Sequence, residues 1–408
     1  MRLHPFRAIR PVPELAERVA SVPYDVVTRS EAITLAQGNP YSFLHIGRSD
    51  IDLPQDVDPY DPRVYAQARR TLDQFLSGGT LLREPVPSLY LYRQVMDGRA
   101  QVGVVGCVHI DDYEADVIRK HEKTRPDKED DRTRHVLMLN ANAEPVFLTY
   151  RENSGIEALI EPILRTPPLY DFTAADDVRH TVWRVPDPAP LIDAFRNVPH
   201  AYVADGHHRS ASAWRAGKEI RARPPQHRGD GEYNWFLAVL FPADQLRILP
   251  YNRLVRDLNG LSGTEILARL ARVGRVWPTE DAQPPRPGSF CVYVAGGWYL
   301  LELDQGSIDR SDPIGSLDVA LLQERVLGPI FGIQDPRTDK RIDFVGGIRG
   351  TKELERRVDS GDMAIAFSLY PTTLEQLMTV ADAGKVMPPK STWFEPKLCS
   401  GLFVHELG

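Results

Sequence analysis

Apolar and polar positions along this chain follow both the helical and the extended period. Apolar residues at helical spacing predict helices over residues 31–37, 64–76, 156–164, 189–196, 210–216, 261–273, 319–326, 351–360 and 373–383. Short apolar runs predict strands over residues 42–46, 88–94, 101–110, 145–150, 178–185, 201–204, 235–241, 344–347 and 363–370, and a hairpin over 290–303. Because strands and helices alternate, with hairpins among them, we expect an α+β (mixed α/β) fold.

Segments rich in proline, glycine and charge separate these elements. Irregular structure is predicted for an acidic, proline-rich loop at 51–62, a loop at 223–232 and a basic, aromatic tail at 387–401. Gly217 is expected to end the helix over residues 210–216. The 34 prolines argue against a helical bundle, because proline breaks helix interiors.

Composition and charge exclude several classes of protein. A net charge of −7 gives no support to a basic surface for duplex nucleic acid. The sequence has no run of about 18 apolar residues, so no membrane-spanning helix is predicted. Three widely spaced cysteines do not form a disulfide framework and favour a reducing cytoplasm. Walker-type phosphate loops, G-x-G-x-x-G dinucleotide motifs and zinc-spaced cysteine pairs are missing from the sequence.

The strongest candidate site follows the predicted strand at residues 201–204. Asp205 stands at the end of the strand, Gly206 allows a sharp turn, and the start of a helix favours an anion. Donors and positive charge at the same place come from His207, His208 and Arg209. A carboxylate beside such an anion site suits phosphoryl transfer, in which the acid holds a metal or takes a proton. The simpler alternative is a helix start capped by Asp205, with two surface histidines.

Other segments carry weaker signals. Residues 119–135 are almost entirely charged, which is typical of a solvated loop and helix start, although Glu122 could deprotonate a hydroxyl and Arg132 could pair with a carboxylate. Lysines and aromatic residues at 389–397 could close over a nucleotide or could clamp the tail on the core. Asp25, in a tight turn, is of a type that more often forms turns than binds ligands.

These motifs resemble those of a known superfamily. The run Ala204–Arg209 resembles the signature of the ParB/sulfiredoxin-like superfamily, in the form carried by free L-serine kinases, and His121-Glu122 resembles the upstream half of that fold. Nearly the full chain also resembles a bacterial family long labelled as a domain of unknown function, through residues 22–26, 39–40, 121–124, 205–209, 250–253 and 389–397. The resemblance implies a ParB/sulfiredoxin-like core with large additions, divided into an N-terminal α/β region (1–100), the catalytic core (101–245) and a C-terminal α/β region with a closing tail (246–408).

The resemblance also implies roles for single residues. Glu122 corresponds to a glutamate that faces the serine hydroxyl, and Asp205 corresponds to an aspartate that assists proton removal or binds metal. Phosphate contacts are implied for His207, His208 and Arg209. We add Gly206 and the tail residues Lys390, Thr392 and Lys397 as candidates for nucleotide binding. The candidates for substrate binding are His121, Thr124 and Arg132.

We therefore expect a small-molecule phosphotransferase. The resemblance implies an ATP-dependent kinase that converts free L-serine to O-phospho-L-serine, which feeds cysteine synthesis. We expect Mg²⁺ with ATP or ADP, a cytoplasmic protein, and no binding to nucleic acid or membrane. The phosphate donor, the acceptor and the formation of a homodimer stay open. The alternative is a nucleotide-binding regulator of the ParB type. A sulfiredoxin-like repair enzyme needs a reactive cysteine, which residues 205–209 lack.

Overall fold

The chain is divided into two compact units. The computed structural model describes residues 1–223 and 230–408, and groups them into a first unit, Met1–Leu246 with Pro396–Gly408, and a second unit, Arg247–Glu395. The boundary predicted after residue 245 lies beside this division. The boundary predicted after residue 100 falls inside a strand of the first unit. Most of the loop predicted at 223–232 lies outside the described residues.

Strands and helices alternate in both units, as the apolar pattern predicts. In chain order the strands are β1 (Leu3–His4), β2 (Ile9–Pro11), β3 (Leu81–Arg83), β4 (Tyr90–Met96), β5 (Arg99–His109), β6 (Ile118–Arg119), β7 (Ala141–Asn142), β8 (Val146–Tyr150), β9 (Tyr170–Thr173), β10 (Arg179–Arg184), β11 (Ala201–Asp205) and β12 (Trp235–Pro242) in the first unit, β13 (Arg247–Leu249), β14 (Tyr251–Val255), β15 (Arg275–Pro278), β16 (Ser289–Val294), β17 (Gly297–Glu302), β18 (Ile342–Gly346), β19 (Ile365–Leu369) and β20 (Trp393–Glu395) in the second, and β21 (His405–Glu406) in the returning segment of the first. The helices are α1 (Ala16–Val19), α2 (Arg29–Ala36), α3 (Leu44–Gly47), α4 (Pro62–Ser77), α5 (Ile110–Glu114), α6 (Pro126–Leu139), α7 (Ser154–Leu164), α8 (Ala189–Arg196) and α9 (His207–Arg221), followed in the second unit by α10 (Gly263–Leu270), α11 (Asp318–Leu322), α12 (Gly328–Phe331), α13 (Lys352–Asp359) and α14 (Leu374–Asp382). This arrangement confirms the predicted mixed α+β fold.

A large mixed sheet organises the first unit. Among the described residues, nine strands form it, in the order β6-β11-β8-β12-β5-β4-β10-β9, with β1 paired to β5. Most neighbours are antiparallel, whereas β6 runs parallel to β11 and β8 runs parallel to β12. A turn at Asp97 and Gly98 joins β4 to β5 in an antiparallel pair. Apolar residues of β5, β8, β11 and β12 are buried against residues of α7, α8 and α9, so these helices pack against the sheet in one apolar core.

The second unit has its own sheet and core. Among the described residues, six strands form an antiparallel sheet in the order β15-β17-β16-β19-β14-β18, and β13 pairs with β20. Leu354 of α13 is buried with Cys291, Leu254 and Ala366 of the sheet. Within the described part of the chain, no helix combines the length and the apolar character that a bilayer span requires.

Three local predictions are wrong. Residues 42–46 were expected to be a strand, but helix α3 begins at Leu44, and Phe43 and Ile46, three positions apart, lie buried in one cluster. A five-residue segment with three apolar residues does not distinguish a strand from a helical turn. Gly217 does not end a helix, because α9 continues to Arg221. A Cβ atom at Gly217 would lie 2.4 Å from the carbonyl oxygen of Tyr233, so this glycine serves close packing. The tail, predicted to be irregular, includes β20.

Candidate functional site

Two parallel strands bring the two sequence motifs together. Strand β6 pairs with β11 so that Ile118 lies opposite Ala201 and Arg119 opposite Tyr202. Because the carboxyl ends of parallel strands point to the same edge of a sheet, the residues that follow β6 and β11 emerge side by side. As a result, Oε2 of Glu122 lies 3.9 Å from Nδ1 of His207.

The turn between β11 and α9 depends on Gly206. Its φ angle is +94°, in the left-handed region that favours glycine, and a Cβ atom there would lie 3.1 Å from Nε of Arg209. Helix α9 begins at His207, and no side chain caps its N-terminus. The alternative in which Asp205 caps the helix is therefore not observed, and the first N–H groups of α9 can bind an anion.

Asp205 is held between two cations. Nη2 of Arg209 donates to Oδ2 of Asp205 at 2.9 Å, and Nζ of Lys397 donates to Oδ1 at 3.4 Å. Burial acts to raise the pKa of the Asp205 carboxyl, but Lys397, Arg209 and His207 together lower this pKa below its usual range. Asp205 is thus a fixed anion that orients a lysine and an arginine.

Arg209 is anchored on several sides. Its side chain is buried, Nη1 donates to the carbonyl oxygen of Pro145 at 2.6 Å, and Nη2 lies 3.6 Å from Oδ2 of Asp25. Burial acts to lower the pKa of Arg209, but the carboxylates of Asp25, Asp205 and Glu144 raise it. Arg209 therefore stays charged, and its contacts fix its position.

His121 and His207 form a buried pair. They are 2% and 6% exposed, and their rings meet edge to face with centroids 4.5 Å apart. Burial lowers the pKa of His121 to about 4, and burial with the nearby His121 lowers the pKa of His207 well below its usual value. Both imidazoles are therefore neutral near pH 7. His208 is half-buried, and its Nε2 accepts the backbone N–H of Arg125 at 3.1 Å. The expectation of two surface histidines is not observed.

The charged run at 119–135 is not simply a solvated face. Asp131 and His135 on α6 are buried, and Oδ1 of Asp131 accepts the hydroxyl of Tyr65 at 2.8 Å. Arg132 donates through Nε to Oδ2 of Asp131 at 2.9 Å, and its guanidinium lies 4.2 Å from the ring centre of Tyr24. Several positions in the charged part of α6 are therefore buried, although the composition is typical of a solvated segment.

The other residues predicted to bind substrate or nucleotide are Thr124 and three residues of the tail, and they do not all lie in the same unit. Thr124 donates its hydroxyl to Oε2 of Glu129 at 2.7 Å. Lys397 belongs to the first unit, as does the Asp205 cluster. Lys390 and Thr392 belong to the second unit, where the ammonium of Lys390 lies 5.4 Å from the ring centre of Tyr251. Of the three tail candidates, Lys397 is the one that contacts the Asp205 cluster within a single unit.

Two carboxylates near this cluster carried little signal in the sequence. Asp25 was predicted to be a turn former, yet it lies beside Arg209. Glu144 was not singled out; it lines a cavity of about 30 Å³ with Arg132 and Arg209, and its Oε1 accepts the Ser400 hydroxyl at 3.0 Å. Burial raises the pKa of Glu144, although Arg209 opposes this shift. Its position directly before Pro145 and a continuous apolar strand is the signal that could have identified it.

Comparison with known proteins gives the following matches. Similar solved structures include a free serine kinase in complex with AMP (14% identity, TM-score 0.36, 72% of this chain and 86% of that one). They also include SbnI with a C-terminal truncation from Staphylococcus aureus (12% identity, TM-score 0.40, 74% of this chain and 87% of that one). A third is a conserved hypothetical protein from Pyrococcus furiosus (13% identity, TM-score 0.35, 74% of this chain and 95% of that one). At these identities and TM-scores the likeness carries no functional conclusion. No curated protein sequence matches the chain. Residues 3–320 match the family described as protein of unknown function DUF1015, and the chain belongs to that family.

Proposed function

We propose that this protein is a nucleotide-dependent phosphotransferase that acts on the hydroxyl of a small molecule, with free L-serine as the acceptor. One observation carries the proposal: the Glu122 carboxylate lies 3.9 Å from His207, at the uncapped start of α9. A proton acceptor thus stands beside a group of anion-binding donors, which is the arrangement that phosphoryl transfer needs. The choice of serine, and of a ParB/sulfiredoxin-like core over 101–245, comes from the motif resemblance.

The chemical step assigns Glu122 the role of general base. The acceptor oxygen attacks the terminal phosphorus of the nucleotide, the bond from that phosphorus to the bridging oxygen breaks, and Glu122 takes the hydroxyl proton. Its carboxylate is 47% exposed, so an acceptor can reach it from solvent. A positioned base of this kind contributes about 10²- to 10⁴-fold to the rate.

The transferred phosphoryl group is bound by the first turn of α9. The backbone N–H groups at the start of this helix, with the side chains of His207 and His208, supply donors, and the helix dipole favours negative charge there. Arg209 and Lys397 add positive charge and are held in place by Asp205. Preorganised donors of this type stabilise the charge that spreads over the phosphoryl oxygens in the transition state. His121, Thr124 and Arg132 remain candidates for binding the acceptor, and Lys390 and Thr392 for binding the nucleotide.

Magnesium belongs with the nucleotide in this proposal. Mg²⁺ bound to the phosphates would neutralise part of their charge. Asp205, the predicted metal ligand, is already paired with Arg209 and Lys397, so an ion there would compete with both cations. We therefore assign no step to a metal on Asp205.

The test is direct detection of the product. Purified protein is incubated with ATP or ADP, Mg²⁺ and a panel of hydroxy amino acids, and the products are followed by phosphorus NMR. We expect O-phosphoserine in a one-to-one ratio with the spent nucleotide. Glu122→Gln should lose about 100-fold or more in turnover. Glu114→Gln is the matched control, because Glu114 is similarly exposed and pairs with Lys218 instead. Nucleotide hydrolysis without transfer to any acceptor would favour the regulatory alternative, and full turnover in Glu122→Gln would remove Glu122 from the mechanism.

A further inference from the structure

The His121–His207 pair leaves buried nitrogen atoms without partners. Neither ring nitrogen of His121, nor Nε2 of His207, makes a hydrogen bond of ordinary geometry among the described residues, although the backbone of Val203 lies near enough to His121 to raise its pKa. Both side chains are more than nine-tenths buried. A buried polar atom that lacks a partner costs about 1–3 kcal/mol, so unpartnered atoms in native structures call for an explanation.

Glu122 completes a set of potential ligands. One ligand atom from each of His121, Glu122 and His207 lies within 4.8 Å of the other two. A tetrahedral ion with bonds of about 2.0–2.2 Å requires closer spacing, so the side chains must draw together by small rotations. The side chain of Glu122 is 47% exposed. It also lies on the solvent side, which provides a path for an ion.

The donor types select the class of metal. Two neutral imidazoles and one carboxylate suit zinc and related divalent transition metals, whereas Mg²⁺ prefers oxygen ligands and an octahedral shell. The cations close to this group, Arg209 and Lys397, are each paired with Asp205, which limits their repulsion of a dication.

We propose that His121, Glu122 and His207 form a binding site for one divalent transition-metal ion of the zinc type, with a coordination position left open to solvent. The site is separate from the Mg²⁺ that accompanies a nucleotide. The inference stands on the two imidazoles and does not need the proposed kinase activity. If that activity is also correct, the ion takes the carboxylate of the general base, so zinc at this site inhibits transfer.

Metal binding can be measured without nucleotide or substrate. Untagged protein is stripped with a chelator and then titrated with Co²⁺ and Zn²⁺. We expect one equivalent of Co²⁺ to give visible absorption, which Zn²⁺ abolishes. Each of His121→Gln, His207→Gln and Glu122→Gln should weaken the affinity by more than the roughly 10- to 100-fold that follows loss of an outer ligand partner. His208→Gln is the matched control, because His208 is adjacent on α9 but lies outside the cluster, and it should keep one equivalent.

A second measurement, on the wild-type protein, tests the proposal even if the variants fail to fold. X-ray absorption of the zinc-loaded wild-type protein should show two imidazole ligands. Coordination by sulfur, or by oxygen alone, would overturn the proposal, and so would the absence of stoichiometric binding or an equal loss in His208→Gln. If the metal binds and no acceptor is ever phosphorylated, the metal site stands and the kinase proposal fails. If serine is phosphorylated and no metal binds, the kinase proposal stands and the metal-site proposal fails.

Discussion

Lys397 forms an ion pair with Asp205, although 192 positions separate them in the sequence. The last segment of the chain returns to the first unit, where β21 pairs with β7 and Ser400 bridges to Ser21. The backbone carbonyl of Lys397 also accepts a hydrogen bond from Nε2 of Gln94 at 2.7 Å. These contacts hold the lysine at the carboxylate of Asp205, the last residue of β11.

Removing the Lys397 charge tests its role in nucleotide binding. We expect Lys397→Met to weaken nucleotide affinity by roughly 10- to 100-fold, because a charge-assisted contact contributes about 1.5–3 kcal/mol. Calorimetric titration with ATP and Mg²⁺ measures this effect. Lys218→Met, a change at a surface lysine paired with Glu114, should bind normally. An unchanged dissociation constant in Lys397→Met would remove this residue from the site.

Neutralising Asp205 should reduce turnover. Asp205→Asn keeps the shape of the side chain but removes the charge that orients Arg209 and Lys397. We expect turnover in the phosphorus NMR assay to fall by about 100-fold or more, since positioning and charge stabilisation supply most of the rate in phosphoryl transfer. Circular dichroism must show that the variant is folded. Asp127→Asn, which changes a surface carboxylate paired with Arg125, is the control. Wild-type turnover in folded Asp205→Asn would contradict the prediction.

Gly206 should tolerate no side chain. Gly206→Ala places a Cβ atom at a φ of +94°, which costs about 1–2 kcal/mol, and brings it against Nε of Arg209. Gly79→Ala provides the comparison, because Gly79 has a φ of +72° and nothing within 4 Å of its Cβ position. Urea unfolding should show a greater loss of stability for Gly206→Ala than for Gly79→Ala. Equal losses would mean that the contact with Arg209 carries no cost.

Stability should fall in mild acid because of His180. Burial lowers the pKa of His180 to about 4, with Asp176 opposing, and the Tyr92 hydroxyl lies 2.7 Å from its Nδ1. Between the unfolded pKa of about 6.5 and the folded value, the unfolded chain binds a proton that the folded chain does not. Stability from this group is therefore present above pH 6.5 and is lost as the pH falls towards 4. The total loss is up to about 3 kcal/mol.

Two histidine variants check the sign of this effect. In denaturant unfolding, His180→Asn should show a smaller loss of stability between pH 7 and pH 5 than the wild type. His45 is the opposite case, since the hydrogen bond that it donates to the Asp52 carboxylate raises its pKa. Its contribution is present below the unfolded pKa and is lost as the pH rises through the folded one. As the pH rises through the folded pKa of His45, His45→Asn should therefore show a smaller loss of stability than the wild type. A wild-type pH profile in His180→Asn would refute the assignment.

Local patterns accounted for most of the secondary structure. Thr28 caps α2 and Ser262 caps α10, each with a glutamate three residues later, as the spacing of these residues indicates. The strand–glycine–helix arrangement around Gly206 is also visible in the sequence, because glycine adopts a positive φ without the steric cost that other residues meet. By contrast, the strand predicted over residues 42–46 is wrong because the three apolar residues of this short segment fit both the helical and the extended period.

The sequence by itself determined the alternation of strands and helices, the sharp turn after Asp205 and the concentration of charge at the start of the helix that follows. These features depend on residues within a few positions of one another, so periodicity and capping reveal them. Only the tertiary structure decided that β6 lies parallel to β11, which brings Glu122 to His207, that Lys397 returns to Asp205, and that Asp25 and Glu144 lie close to Arg209. Such pairings join residues far apart in the chain. They are selected by burial of the whole sheet, a sum over many side chains that no single motif contains.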